Sequence, residues 1–250
     1  MKKTVLKVAT FNVGDFSGIN MKPGSEESRK AYRELFEKVG ADLWYLQEDC
    51  CYFNEETKEE ASDAVYSGIC PNYERYFTSV TNGKAFLTHY ELQDVHHVDY
   101  VGDVVFRHPW FLVSKIHFGG KEITLINLHF DWYDKNVRAI EIEQLIAFAK
   151  AQEYCIVAGD FNPCNRINEE IVGPNPMYKE DFAKFRAAGF EMANCGEFGV
   201  FHTILDAAEG VYPFDNIMVK PNMKLLAAGR VAEPWMYDHA VVWAEIEIAE

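Results

Sequence analysis

Residues 155–162 read Cys-Ile-Val-Ala-Gly-Asp-Phe-Asn, a short apolar run that ends in an aspartate and an amide two positions apart. Cys155–Ala158 has the length and composition of a buried strand. Asp160 and Asn162 then fall on one side of an extended chain. A plain turn would account for Gly159 but leaves that polar pair unexplained. The same arrangement recurs along the chain. Val5–Phe11 runs into Asn12, Leu43–Leu46 into Gln47-Glu48, and Ile123–Leu128 into His129. Phe214–Val219 carries Asp215 near its start, and Asp238-His239 precedes Val241–Ile248. Polar residues at strand ends along one edge of a layered sheet face a common cleft.

Ala85–Thr88 and Phe111–Ile116 read as further strands, and Gly119-Gly120 predicts a hairpin turn. Val241–Ile248 alternates, with Val242, Ala244, Ile246 and Ile248 on one face and Glu245 and Glu247 on the other. Between the strands lie helical patterns. In Glu26–Val39 the residues Tyr32, Leu35, Phe36 and Val39 repeat at helical spacing, and Gly40 stops the helix. Asn136–Lys150 is expected to bury Ile140, Leu145, Ile146 and Ala149. A third helix starts at Asn175-Pro176 and ends before Gly189. Helices alternating with strands, together with hairpins, predict an α/β layered fold with mixed sheets. No repeat, low-complexity tract or Pro/Gly/Ser linker divides the chain, so residues 1–250 are expected to form a single domain.

The chain has 250 residues, 48% of them hydrophobic, with 18 Phe, 13 Tyr and 5 Trp, so it holds ample material for a large core. Its net charge of −15 argues against a protein that coats nucleic acid or anionic membrane by charge alone. An enzyme that binds phosphate through a divalent cation stays compatible, because net charge does not describe the cleft. No segment reaches the roughly 20 apolar residues of a membrane span. Lys7, Asn12 and Asp15 interrupt what could pass for a secretory leader, so a cytoplasmic location is expected. The six cysteines (50, 51, 70, 155, 164 and 195) include no CxxC pair, which points to free thiols and away from zinc.

On these motifs the sequence resembles the endonuclease/exonuclease/phosphatase superfamily, which includes deoxyribonuclease I, exonuclease III-type abasic-site nucleases, deadenylases, sphingomyelinases and inositol polyphosphate 5-phosphatases. Asn12, the Leu46-Gln47-Glu48 triplet, Asn127-Leu128-His129, Gly159-Asp160-Phe161-Asn162, Asp215 in Phe-Asp-Asn-Ile and Asp238-His239 occur in the family's order over residues 5 to 248. The last motif departs from the family, with Tyr237 where a serine is usual.

The resemblance implies a four-layer α/β sandwich, two mixed β-sheets packed face to face and flanked by helices. It implies a phosphoesterase dependent on Mg²⁺ or Mn²⁺ that hydrolyses a phosphodiester by direct attack of water. Glu48 would be the main metal ligand, with Asn12 and Asp238 close by. Asp160 would activate the water, Asn162 and His129 would hold the phosphate, and His239, oriented by Asp215, would stabilise charge or donate a proton. The implied substrate is a phosphate ester, nucleic acid among the options, and neither a membrane nor an obligate protein partner is expected. A phosphomonoesterase, a phospholipid or inositol-phosphate hydrolase, and a non-catalytic phosphate-binding protein are the alternatives. Arg107, Lys135, Arg138 and Arg166 are basic residues near the motifs that could line the cleft. His96, His97, His108 and His117 are read as ordinary packed or solvated histidines, Glu55–Glu60 as a solvated helix face, and Trp132, Tyr133, Trp235 and Tyr237 as core or rim packing.

Overall fold

Alternation along the strands builds two inner faces. Strand β1 (Val5–Asn12) pairs antiparallel with β12 (Val241–Ile248) and parallel with β2 (Leu43–Gln47). In β12 the residues Val242, Ala244, Ile246 and Ile248 are all buried, as their spacing predicts. The structure, a computed structural model, describes residues 4–16, 18–21, 25–49, 73, 75–78, 83–163, 178–205, 211–236 and 238–248. Glu55–Glu60, Cys50, Cys51, Cys70, Cys164, Arg166, the Asn175-Pro176 helix start and Tyr237 lie outside them.

The first sheet is completed by β3 (Arg75–Thr78), β4 (Lys84–Thr88) and β11 (Met223–Val231), in the order β11-β12-β1-β2-β4-β3. The second runs β5-β6-β7-β8-β10-β9, where β5 is Gln93–Asp99, β6 Trp110–Phe118, β7 Lys121–His129, β8 Cys155–Asp160, β9 Glu191–Met192 and β10 Asp215–Val219. Both sheets are mixed, because β1–β2 and β7–β8 run parallel while their other neighbours run antiparallel. Gly119 and Gly120 take φ of 61° and 84° between β6 and β7, the left-handed pair that a two-residue hairpin needs.

Between the sheets lies one apolar layer, with Leu6, Val8 and Tyr45 from one side and Leu112, Leu125 and Ile156 from the other. The outer face of the first sheet packs Phe11, Trp44 and Leu46 against Tyr32, Leu35 and Phe36 of α1 (Glu26–Val39). The outer face of the second packs Ile126, Leu128 and Val157 against α2 (Lys135–Lys150) and α3 (Tyr178–Ala187). This is the mixed-sheet α/β layering that the sequence pattern predicts, in the four-layer form that the family resemblance implies.

The edge strands β5 and β11 escape a search for apolar runs. Each alternates buried or half-buried with exposed residues over only part of its length, and a register shift breaks each ladder. Helix α2 also differs from expectation. Ile140 and Ile146 are only half-buried, whereas Arg138 and Glu141 lie on the buried stripe with Val137, Ile142, Leu145 and Ala149. Among the described residues no helix is long and apolar enough to cross a membrane.

Candidate active site

Sheet direction explains why the polar residues meet. Asn12, His129 and Asp160 are the last residues of β1, β7 and β8, and Glu48 directly follows β2. Asn12 is in register with Gln47, and Asp160 with both His129 and Asp215. Because β10 and β12 run antiparallel to their neighbours, Asp215 and the Asp238-His239 pair reach the same edge from the beginnings of strands. Two buried carboxamides lock the sheets together behind the site. Asn127 accepts from Gln47 Nε2 at 2.8 Å and donates to the Leu46 and Ala85 carbonyls at 2.9 Å each.

Asp160 is the hub. Its Oδ2 lies 3.2 Å from Asn12 Nδ2, 3.5 Å from His129 Nε2 and 3.6 Å from His239 Nε2. Its Oδ1 accepts the Asn162 backbone N–H at 3.0 Å. Asn12 also donates to Glu48 Oε1 at 3.0 Å, so one amide bridges two carboxylates. His239 Nδ1 stands 2.8 Å from Asp215 Oδ2, and Asp238 Oδ2 is 3.9 Å from His239 Nε2. The segment 203–205 steadies this pair: Thr203 Oγ1 accepts from the backbone of Phe214 and Asp215, while Leu205 N–H donates to the Asp238 carbonyl. Asn162 donates from Nδ2 to the Phe130 carbonyl at 3.1 Å, which leaves its Oδ1 and one amide hydrogen for other contacts. Glu48 and Asn162 take φ of 53° and 38°. Left-handed backbone at non-glycine residues costs on the order of 1–3 kcal/mol and clusters where function demands it.

Burial pushes the Asp160 carboxyl up to about 7, with Asp215 and Glu48 adding to the rise and His239 and the Asn162 N–H opposing it. Burial also opposes charge on His239, but Asp215, Asp160 and Asp238 outweigh it and carry that imidazole up to about 10. His129 is pulled well below the usual range by burial and then by His108, Lys84 and His239. The site therefore pairs a cationic histidine with a neutral one.

All eight residues proposed from the sequence are at this edge: Asn12, Glu48, His129, Asp160, Asn162, Asp215, Asp238 and His239. Sequence reasoning missed two neighbours. The ring of His108 stacks on His129 at 3.8 Å, and burial lowers its pKa to about 3. Lys84, wholly buried on β4, places its ammonium 4.0 Å over the Trp110 ring and depresses both histidines. Neither carries a local signal, since one is a lone histidine before a proline and the other opens a short apolar run. Arg138 does not line the cleft: it is buried, and its Nε contacts Asp181 at 2.9 Å. Burial raises the thiols of Cys155 and Cys195 to about 12, so both are inert, and both are free.

The donor set suits a hard cation. Asp215 Oδ1 is buried with no hydrogen-bond partner among the described residues, and the Asp215 and Glu48 carboxylates add to the burial that raises Asp160, so the site favours positive charge. Asp160, Asp215 and His239 bring one ligand atom each within 4.8 Å of one another. Their hydrogen bond, however, already uses Asp215 Oδ2 and His239 Nδ1. Glu48 and Asp238 are more open, with 43% and 26% of their side-chain surface exposed, and leave room for the waters that Mg²⁺ retains.

Paired mixed sheets with carboxylates, carboxamides and histidines at one strand-end edge define a deoxyribonuclease I-like sandwich. More particularly, the chain has the fold of the endonuclease/exonuclease/phosphatase proteins. It is similar to a protein of that description from Beutenbergia cavernae (TM-score 0.75, 12% identity, 99% of this chain and 72% of the other). It is also similar to one from Bacteroides vulgatus (0.72, 18%, 99% and 100%). A third similar structure is D. rerio TDP2 complexed with a single-strand DNA product (0.66, 12%, 98% and 100%). No protein-family model matches the sequence, and no curated protein matches it significantly.

Proposed function

We propose that the protein is a divalent-cation-dependent phosphoesterase that hydrolyses a phosphodiester by direct attack of water. The observation that carries this reading is the position of Asp160, buried, near neutrality in pKa, and 3.2–3.6 Å from an amide and two imidazoles. A base poised near pH 7 is suited to take a proton from water. Glu48 and Asp238, with Asn12 between Glu48 and Asp160, would hold Mg²⁺ or Mn²⁺. Such a cation neutralises phosphate charge and supports the leaving oxygen. For Asn12 to ligate, its amide must turn, because its nitrogen now faces both carboxylates. His239, charged and fixed by Asp215, presents Nε2 to the same space and suits the phosphoryl oxygens or a departing alkoxide. Neutral His129 offers a hydrogen bond without adding charge, and Asn162 would hold a further phosphate oxygen through the amide hydrogen that its bond to the Phe130 carbonyl does not use. A structural neighbour solved with single-strand DNA product supports nucleic acid or a nucleotide-like ester as the substrate class.

The test is turnover with Mg²⁺ or Mn²⁺ on single-stranded and duplex DNA, RNA, bis-p-nitrophenyl phosphate and inositol phosphates. Hydrolysis of a diester is expected, with Asp160→Asn lowering kcat by several orders of magnitude and leaving KM nearly unchanged. Activity confined to monoesters, or an effect of Asp160→Asn wholly in KM, would overturn the reading.

A further inference from the structure

Beyond His129 the chain turns sharply through residues 131–134 and sends two rings outward. Trp132 is 40% exposed and Tyr133 48% exposed, and the rings meet edge to face with centroids 5.5 Å apart. The Arg107 guanidinium lies 5.4 Å from the first ring and 5.1 Å from the second. Arg107 also precedes His108, which stacks on His129, so the rim meets the site through two separate segments.

A buried framework holds this turn. Asp131 Oδ1 accepts the backbone N–H groups of Tyr133 and Asp134, each at 2.7 Å, while Oδ2 lies 3.3 Å from Arg107 Nε. The Asp131 N–H donates to Glu141 Oε2 at 2.8 Å, and its carbonyl accepts from Arg138 Nη1 at 3.1 Å. Asp131, Arg138 and Glu141 are all at most 1% exposed. Taking three ionisable side chains out of water is expensive, and joining a strand to a helix does not require it. What the framework secures is the pose of two aromatic rings and one cation, three to four residues past His129.

That rim answers a physical need of this chain. A molecule of charge −15, with Glu48, Asp160, Asp215 and Asp238 in its site, gathers little affinity for nucleic acid from phosphate neutralisation. Stacking of bases on aromatic faces is independent of net charge and tolerant of sequence, and an arginine beside the rings can stack or contact a phosphate.

We propose that Trp132, Tyr133 and Arg107 form a nucleobase platform that makes the site prefer phosphodiesters bearing a base over the same esters without one. This rests on the phosphodiesterase reading above and assigns its substrate class.

Two substrates with the same phosphodiester separate the ideas: a thymidine dinucleotide and its abasic analogue, in which both bases are absent. In the full chain with Mn²⁺, kcat/KM should favour the dinucleotide. Trp132→Ala or Tyr133→Ala should reduce that ratio by about ten-fold, the scale of one lost stacking contact. A ratio within two-fold of the parent in both variants overturns the platform while leaving the phosphodiesterase intact. If neither ester is cleaved, the phosphodiesterase reading is judged on the wider set of diesters above, and tryptophan fluorescence decides the platform by itself. Quenching by adenosine 5′-monophosphate but not ribose 5-phosphate, lost in Trp132→Phe, sustains it. Absence of any Trp132-dependent quench overturns it.

Discussion

His239 Nδ1 stands 2.8 Å from Asp215 Oδ2, and both side chains are shielded from solvent. A carboxylate in that position keeps the proton on Nδ1 and turns Nε2 toward Asp160. Asp215→Asn preserves volume but removes the charge that holds the imidazole cationic. Expected is a fall in kcat of about 10²–10⁴-fold, the range of a positioned acid–base group, with little change in KM. Steady-state kinetics of the variant decide it, and a change carried by KM alone would show that the pair binds substrate without acting on it.

The strand-end residues were legible because each sits at the end or beginning of an apolar run, and the topology then brings these ends to one edge. Helix α1 is legible in full, from Glu26 to Gly40, because Tyr32, Leu35, Phe36 and Val39 fill its buried stripe at helical spacing, with Ser28 the one small polar residue among them. Helix α2 is legible in part: Leu145 and Ala149 are buried as their spacing predicts, whereas Arg138 and Glu141 occupy core positions to hold Asp131, a tertiary demand with no local trace. The place of His108 beside the site has a related reason: a histidine read as ordinary packing stacks on His129, 21 positions further along, a contact that only the fold creates.

Glu48 should matter to cation binding more than to folding. Its left-handed backbone turns the carboxylate beside Asn12 and within 3.8 Å of His129 Nε2. Glu48→Gln exchanges an anionic oxygen for a neutral one at nearly constant volume. Calorimetric titration with Mn²⁺ should show affinity reduced ten-fold or more, with the thermal transition moved little. Equal affinity in parent and variant removes Glu48 from the cation site.

Glu141 makes stability depend on pH in the direction opposite to an ordinary carboxylate. Burial raises it from 4.5 to about 8, against the Asp131 N–H that favours the charged form. The folded state therefore holds this proton more tightly than the unfolded chain. Its contribution is full below about pH 4.5 and is lost as pH rises toward 8. The slope reaches at most about 1.4 kcal/mol per pH unit for one proton. Glu141→Gln keeps an acceptor for the Asp131 N–H and should flatten this part of the profile. Urea unfolding of both proteins from pH 5 to 8.5 tests it, and identical slopes would show that Glu141 is ionised in the fold.

Gly159 shows how closely the site depends on backbone contact. The sequence suggested a turn glycine, but the residue lies inside β8, in register with Leu128 of β7. Its φ of 151° is a conformation that side-chain-bearing residues rarely adopt, and an added Cβ would stand 2.1 Å from the Leu128 carbonyl oxygen. Rigid backbone cannot yield as a flexible side chain would, so β7 and β8 must separate to admit a methyl group. The neighbouring register pair is His129 and Asp160, which have to stay within hydrogen-bonding range for the proposed chemistry. Gly159→Ala should therefore cost about 3 kcal/mol or more, at the upper end of overpacking in a filled interior. Activity should be lost even at temperatures where the variant remains folded. Denaturant unfolding and turnover measured on the same preparation provide the check, and a variant with parental stability and activity would mean that the two strands can part at this point without disturbing the site.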